Sequence, residues 1–118
     1  MKVALPVTDN NITGPGEAME VHIYEIVNGE YKLIDKYENP ALRATMTSGI
    51  YMLKSIIDKN VDALIVTEIG EPGVRFLKNK IIIYYSNDYD EKNSIKYFIE
   101  NKLKEITIGE RTLYHNRL

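Results

Sequence analysis

Hydrophobic and polar residues alternate along the first third of the chain as they do in half-buried β-strands. Apolar runs cover residues 2–7, 21–27 and 31–37, and polar turn residues separate them. Asn28-Gly29 lies between the second and third runs, and both residues tolerate the positive φ of a tight turn. We therefore predict an antiparallel hairpin. Pro6 cannot donate to a ladder, so the first strand must be near its end there or unpaired on one side.

The pattern changes in the rest of the chain. Apolar residues recur at helical spacing over residues 48–59 and from residue 90 to about 104, and a shorter helix begins at Pro72 and stops at Asn79. Continuous apolar runs at residues 62–67 and 80–85 are typical of strands covered on both faces. Two such strands joined through a helix pair in parallel.

These elements predict an α/β fold in a single domain. Its mixed five-stranded sheet has a three-stranded antiparallel start followed by parallel strands, with helices on both faces. A chain of 118 residues fits one domain, which we assign to residues 1–106. Residues 107–118 form a C-terminal tail without a clear period, and an extra strand, a partner-binding arm or a frayed end all remain open for it.

Composition excludes several kinds of site. The chain has no cysteine, so it provides neither a disulfide nor a thiolate ligand nor a thiol nucleophile. A net charge of −2 gives no long-range attraction for nucleic acid. No apolar stretch approaches the length of a membrane span, so we expect no membrane association and a cytoplasmic location. No nucleophile, base and orienting group form a recognisable triad, and we predict that the protein is not an enzyme.

In open α/β sheets, ligands bind beyond the carboxyl ends of the parallel strands. Three loops should meet there, at residues 8–18, 67–73 and 86–90. The first contains the bend Gly14-Pro15-Gly16, where a backbone can approach a ligand closely. The predicted ligand-binding crevice is framed by Asp9, Gly14, Gly16, Thr47, Gly49, Glu68 and Gly70.

The turn from Glu68 to Gly73 leads a buried strand into a helix, and helix N-termini attract anions. Here Glu68 and Glu71 occupy the turn themselves, and a carboxylate at this end stabilises a helix by about 0.3–1 kcal/mol. Their charge would also repel a phosphate. We therefore favour a structural role for the turn over anion binding, and its spacing matches neither a P-loop nor a dinucleotide-binding motif.

Three loop carboxylates suggest an alternative. Asp9, Glu68 and Asp88 each follow a different predicted parallel strand, and converging carboxylates bind hard cations such as magnesium. They are weak metal candidates, because most loop acids are simply solvated. His22, alone within a strand, is more typical of a packed residue than of a ligand, and His115 lies in the tail.

The order and local sequence of several segments resemble the dinitrogenase iron-molybdenum cofactor biosynthesis family, over residues 1 to about 106. The segments are MKVALPV, HIYEIVNGEY, TSGI, VDALIV and IGEPGVRFLKNKIIIYY. The resemblance implies a ribonuclease-H-like mixed α/β fold. It also implies an iron-sulfur or iron-molybdenum cofactor, since some members of the family carry or store such clusters.

The chain departs from the family where cluster ligands would be expected. The family's His-Phe-Gly-Arg-Ala stretch corresponds to residues 14–18, which contain no histidine, and its Gly-Gly-Ile-Gly turn becomes Thr-Glu-Ile-Gly at residues 67–70. A histidine often found before the first helix is absent from residues 44–49. With no soft ligand evident, a cluster would depend on backbone N–H groups, oxygen ligands or a partner's side chains.

The leading hypothesis is therefore a small non-catalytic binding module that has diverged from the cluster carriers of this family, with a small ligand or metal cluster as its partner. One alternative is a magnesium-dependent phosphate-ester hydrolase using Asp9, Glu68 and Asp88. Another is a structural domain that binds a protein partner or self-associates through a strand edge or the tail.

Overall fold

Seven strands, three α-helices and one 3₁₀ turn form the part of the chain that this computed structural model describes, residues 1–44 and 48–107. Their order is β1 (Lys2–Thr8), β2 (Asn11–Ile12), β3 (Glu20–Val27), β4 (Glu30–Glu38), the 3₁₀ turn (Pro40–Arg43), α1 (Ser48–Asp58), β5 (Ala63–Val66), α2 (Glu71–Leu77), β6 (Ile82–Tyr85), α3 (Glu91–Ile99) and β7 (Lys104–Ile106). Among these residues, no helix is long and apolar enough to cross a membrane.

The strands form one mixed sheet in the order β4-β3-β1-β5-β6-β7, with β2 paired to β1. The β3–β4 hairpin is antiparallel and turns at Asn28 and Gly29, which both have positive φ. The strands β1, β5 and β6 are parallel. The predicted hairpin, the antiparallel start and the later parallel strands are confirmed.

The prediction of five strands was wrong. The two additional strands are β2, which has two residues, and β7, which has three. An alternating pattern needs about four residues to be recognised, so these two strands leave no periodic signal. They are held instead by pairing with β1 and β6.

Pro6 lies where its missing N–H is tolerated. It pairs with Val21 of β3 on one side, while the pairing of β1 with β5 is confined to Val3 and Ala4. On the other side its carbonyl accepts a hydrogen bond from Thr13 N–H at 2.9 Å. The strand ends two residues later, at Thr8, so Pro6 lies near its end.

The helices cover both faces of the sheet, as predicted. On one face α1 and α2 bury Met52, Leu53, Ile56, Val74 and Leu77 against Ala4, Leu64 and Val66. On the other face Ile95 of α3 packs with Val3, Leu5, Val7, Ala63 and Ile65. The central strands are thus buried on both sides, which explains their continuous apolar runs.

The last helix ends earlier than predicted. It stops at Ile99 rather than near residue 104, because Asn101 takes a φ of 60°, which is incompatible with continued helix. The chain is then free to form β7. The division between a domain at 1–106 and a tail remains a prediction, since residues 108–118 lie outside the described part of the chain.

Gly73 allows α2 to pack closely against its neighbours. A Cβ at this position would lie 3.0 Å from Ile69 Cγ1 and 3.3 Å from Leu53 Cδ1, and both side chains belong to the core. We expect Gly73→Ala to lower the free energy of unfolding by about 1–3 kcal/mol because of overpacking, even though alanine has the higher helix propensity.

Urea denaturation measures this effect, and Gly49→Ala is the matched control. A Cβ on Gly49 in α1 would meet its nearest neighbour, Gly16 N, at 3.6 Å, which is an ordinary contact. The control should be as stable as the wild type or gain up to about 1 kcal/mol from helix propensity. An equal gain in both variants would contradict the proposed overpacking at Gly73.

Candidate functional site: the crevice beyond β1 and β5

A crevice of about 340 Å³ opens beyond the carboxyl ends of β1 and β5. Its walls come from the loop after β2 and from the turn between β5 and α2. The lining residues are Gly14, Pro15, Gly16, Glu17, Glu68, Ile69 and Gly70. Three of the seven are glycines, which have no Cβ, so a ligand in the crevice can approach their backbone closely.

Two adjoining cavities extend the crevice in different directions. One, of about 220 Å³, is lined by Pro15, Ile50, Leu53, Ile69 and Pro72 together with four glycines, and we refer to it as the apolar end. The other, of about 400 Å³, shares Gly14, Glu17 and Glu68 with the central crevice and adds Asn11, Ile12, Thr13, Thr67 and Tyr89. We refer to it as the polar end.

Asn39 fixes the loop that forms one wall. Its side chain is fully buried, and Nδ2 donates to the carbonyls of Pro15 at 2.8 Å and Ala18 at 3.0 Å. Its Oδ1 accepts from Ala41 N–H at 3.0 Å and so caps the 3₁₀ turn. Sequence reasoning missed this role, because the Asn39-Pro40 pair only indicated a break after the hairpin.

The middle of the crevice is acidic. A Cβ placed on Gly14 would lie 3.0 Å from Glu17 Oε1 and 3.3 Å from Glu68 Oε1, so both carboxylates flank this glycine. Glu71, the other acid of the turn, is bound by Arg75 one helical turn later. The centre of the crevice thus carries the carboxylates of Glu17 and Glu68, and Glu17 was not among the predicted site residues.

The structure brings most of the predicted crevice residues together. Gly14, Gly16, Glu68 and Gly70 line the central cavity, and Gly49 lines the apolar end. Asp9 lies elsewhere, in the exposed turn between β1 and β2 with a φ of 51°, outside the described lining of these three cavities. Thr47 lies outside the described residues. That these residues bind a ligand remains a prediction.

The three weak metal candidates do not converge. Asp9 lies in the turn between β1 and β2. The Asp88 carboxylate is engaged at the start of α3, where it accepts from Asp90 N–H at 2.8 Å and from Asn93 Nδ2 at 3.1 Å. Within residues 1–44 and 48–107, no group of three His, Asp or Glu side chains could hold a metal ion. The geometry therefore does not support the magnesium-dependent hydrolase.

His22 takes part in a buried charged network on the face of the sheet covered by α3. Its Nδ1 lies 2.5 Å from Glu91 Oε2, and its Nε2 lies 2.9 Å from Glu20 Oε1. Tyr24 OH donates to the same Glu91 oxygen at 2.5 Å. His22, Tyr24 and Glu91 are each no more than 6% exposed. We refer to Glu20, His22, Tyr24 and Glu91 as the His22 network.

The network shifts the pKa of its members. Burial alone would lower the pKa of His22, but hydrogen bonds and charges from Glu91 and Glu20 outweigh it and raise the pKa above its usual value. Burial alone would raise the pKa of Glu91, but hydrogen bonds from His22 and Tyr24 and the charge of His22 lower it. Burial and the bond to Glu91 raise the pKa of Tyr24 far above its usual value. The raised pKa of His22 and the lowered pKa of Glu91 both favour an imidazolium paired with a buried carboxylate.

The crevice does not fit a metal–sulfur cluster held by soft ligands. The chain has no cysteine, and both ring nitrogens of His22 are engaged on the other face of the sheet. The described lining residues of the central crevice offer backbone groups and the carboxylates of Glu17 and Glu68. Carboxylate oxygens are hard ligands, whereas iron-sulfur clusters select thiolates.

Comparison with known proteins identifies the family. The family model described as "Dinitrogenase iron-molybdenum cofactor" matches residues 1–101. An uncharacterised protein of Methanocaldococcus jannaschii is 35% identical over 108 residues, which cover 89% of this chain and 91% of that protein.

Solved structures show the same fold. A crystal structure from M. jannaschii, of a protein proposed as a dinitrogenase, has a TM-score of 0.73 and 30% identity, covering 90% of this chain and 94% of that one. The apo form of the orange protein from Desulfovibrio gigas has a TM-score of 0.72 at 11% identity, covering 89% and 92%, and shows the likeness of fold alone. By its sequence match over residues 1–101, this chain belongs to the dinitrogenase iron-molybdenum cofactor family.

Proposed function

We propose that this protein is a small non-catalytic binding module whose ligand occupies the crevice beyond β1 and β5, and that it has diverged from family members that carry metal–sulfur clusters. The observation that carries the proposal is the combination of a glycine-lined crevice with Glu17 and Glu68 at its centre. The split of the sheet into an antiparallel and a parallel half supports the ribonuclease-H-like classification that the resemblance implies.

The position and shape of the crevice support ligand binding. Ligand sites in α/β proteins lie beyond the carboxyl ends of parallel strands, and this crevice has both an apolar and a polar end. Asn39 holds one wall through two carbonyls, so the site is preformed. A preformed wall reduces the entropy lost on binding.

The charge of the crevice determines which ligands it accepts. Two carboxylates flank Gly14, so a neutral or positively charged group is favoured and an anionic cluster is repelled. A cluster delivered to this site would need ligands from backbone, oxygen groups or a partner protein. Association with a partner or a second copy, and a cytoplasmic location, remain predictions.

Cluster uptake provides the first test. The purified protein is incubated anaerobically with a reconstituted iron-sulfur cluster and, separately, with tetrathiomolybdate, and is then desalted. We expect less than stoichiometric metal and no protein-bound visible absorption, because the chain has no cysteine and no imidazole lies among the described residues that line the crevice. Retention of one cluster per chain after desalting would refute the proposed divergence.

A second measurement tests the crevice itself. Amide NMR shifts of Gly14, Gly16 and Gly70 are followed during titration with butylammonium and with butyrate, which share an apolar tail but carry opposite charges. We expect saturable shifts with butylammonium only, weakened in Glu17→Gln and unchanged in the control Glu38→Gln. Equal responses to both ions would contradict the proposed charge selectivity.

A further inference from the structure

The His22 network is joined to the polar end of the crevice by backbone hydrogen bonds. Glu91 N–H donates to the carbonyl of Asn10 at 3.0 Å, and Ile12 N–H donates to the carbonyl of Tyr89 at 2.7 Å. Asn11 and Asp90 form an antiparallel bridge between these two bonds. The start of α3 and strand β2 are therefore one connected unit.

This unit forms a wall of the crevice. Asn11, Ile12 and Tyr89 line the polar end, where they face Thr67 and Glu68 across the cavity. On its other side the unit is attached to β3 through Glu91, whose carboxylate is hydrogen-bonded to both His22 and Tyr24. A change in the His22 network can thus reach the crevice through Glu91, whose N–H bonds to Asn10, and from there through the pairing of β2 with residues 89 and 90.

We propose that the His22 network is a proton-operated latch: protonated His22 holds the start of α3 against β3 and thereby keeps the wall of the polar end in its observed position. Loss of the proton weakens the attachment and allows β2 and Tyr89 to move. The proposal concerns the conformation of this wall and is independent of what the crevice binds.

Hydrogen-bond chemistry explains why the proton matters. Both ring nitrogens face carboxylate oxygens, so both must donate, and only the imidazolium has two N–H groups. When the proton leaves, Glu20 can turn to solvent because its side chain is 42% exposed. Glu91 is 3% exposed and cannot. The neutral ring can still donate Nδ1–H to Glu91, but the buried carboxylate loses the positive charge beside it, which is costly inside a protein.

The surrounding charges do not replace this partner. On β4, Lys36 is directly opposite His22 but is exposed, and on β1 the residue opposite His22 is the apolar Leu5. From α3, Lys92 contributes a charge that further lowers the pKa of Glu91. Tyr31 lies edge-on to Tyr24 and offers no positive charge. Asp90 caps α3 through Asn93 N–H.

The direction of the pH effect follows from the two pKa shifts. The pKa of His22 is raised on folding, so the contribution of His22 to stability is complete below the unfolded pKa of about 6.5 and is lost as pH rises through the folded pKa. The pKa of Glu91 is lowered on folding, so its contribution to stability is complete above the unfolded value of about 4.5 and is lost as pH falls through the folded value. The network therefore stabilises the fold most between the unfolded pKa of Glu91 and the unfolded pKa of His22.

Amide hydrogen exchange between pH 5 and 10 tests the latch. The protection factors of Glu91 and Ile12 N–H are compared with that of Lys80 N–H, which bonds to Leu77 at the far end of α2. We expect the ratio to fall about tenfold for each unit by which the folded pKa of His22 exceeds the unfolded one. A ratio independent of pH would overturn the proposal.

Two variants make the test specific. In His22→Gln the ratio should be low and independent of pH, and in Glu20→Gln the midpoint should move to lower pH because one raising charge is removed. His115→Gln controls for the other imidazole. An unchanged midpoint in Glu20→Gln would overturn the latch even if His22→Gln fails to fold.

Discussion

Replacing Glu91 with alanine is expected to lower the free energy of unfolding by about 3–5 kcal/mol near pH 6. The substitution leaves the His22 imidazolium and the Tyr24 hydroxyl without their shared acceptor in a site that is almost fully buried. Removing one partner of a buried ion pair costs more than the pair contributes, because an uncompensated charge remains. Small domains have total stabilities of about 5–15 kcal/mol, so the variant should be close to unfolding.

Urea denaturation at several pH values measures this loss. The difference between wild type and Glu91→Ala should shrink below the folded pKa of Glu91, where the wild-type carboxyl is protonated, and above that of His22, where the imidazole is neutral. Glu38→Ala is the control, since Glu38 pairs with Arg43 at the surface and such pairs contribute about 0–1 kcal/mol. Equal losses in the two variants would refute the role assigned to Glu91.

The main elements of the fold could be predicted because their signals are local. Asn28-Gly29 indicates a hairpin by backbone conformation alone, and the continuous apolar runs indicate the strands β5 and β6. Of these two, only β5 is buried on both faces, since Ile82 of β6 is 44% exposed. The crevice could be anticipated in part for the same reason. Gly14, Gly16 and Gly70 lie in loops whose position follows from the parallel strands.

The remaining features depend on contacts between distant segments. His22 and Glu91 are 69 positions apart, and only the packing of α3 on the sheet brings them together. Glu17 was missed because its approach to Gly14 and Glu68 requires the folded loop. The strands β2 and β7 are too short to show a period, and Asp9 is moved away from the crevice by β2.

Asn39→Asp is the second substitution for which we expect a large effect, a loss of about 3–5 kcal/mol at pH 7. Aspartate keeps the size of the side chain and the Oδ1 acceptor for Ala41 N–H. It removes the donor to Pro15 and Ala18 and places a buried negative charge against their carbonyls. The loop that forms the crevice wall should therefore loosen, with faster exchange of the Ala18 N–H that bonds to Gly14.

The pH dependence of the Asn39→Asp variant separates loss of the hydrogen bonds from simple mispacking. A carboxyl buried at residue 39 has a raised pKa, and once protonated it can donate one hydrogen bond to a carbonyl, so part of the stability should return as pH falls toward 5. Asn28→Asp is the matched control, because the exposed hairpin turn accepts Asp-Gly as readily as Asn-Gly. Asn39 Nδ2 donates to both carbonyls. A variant that is equally unstable at all pH values would therefore show that packing, not hydrogen bonding, positions the crevice wall.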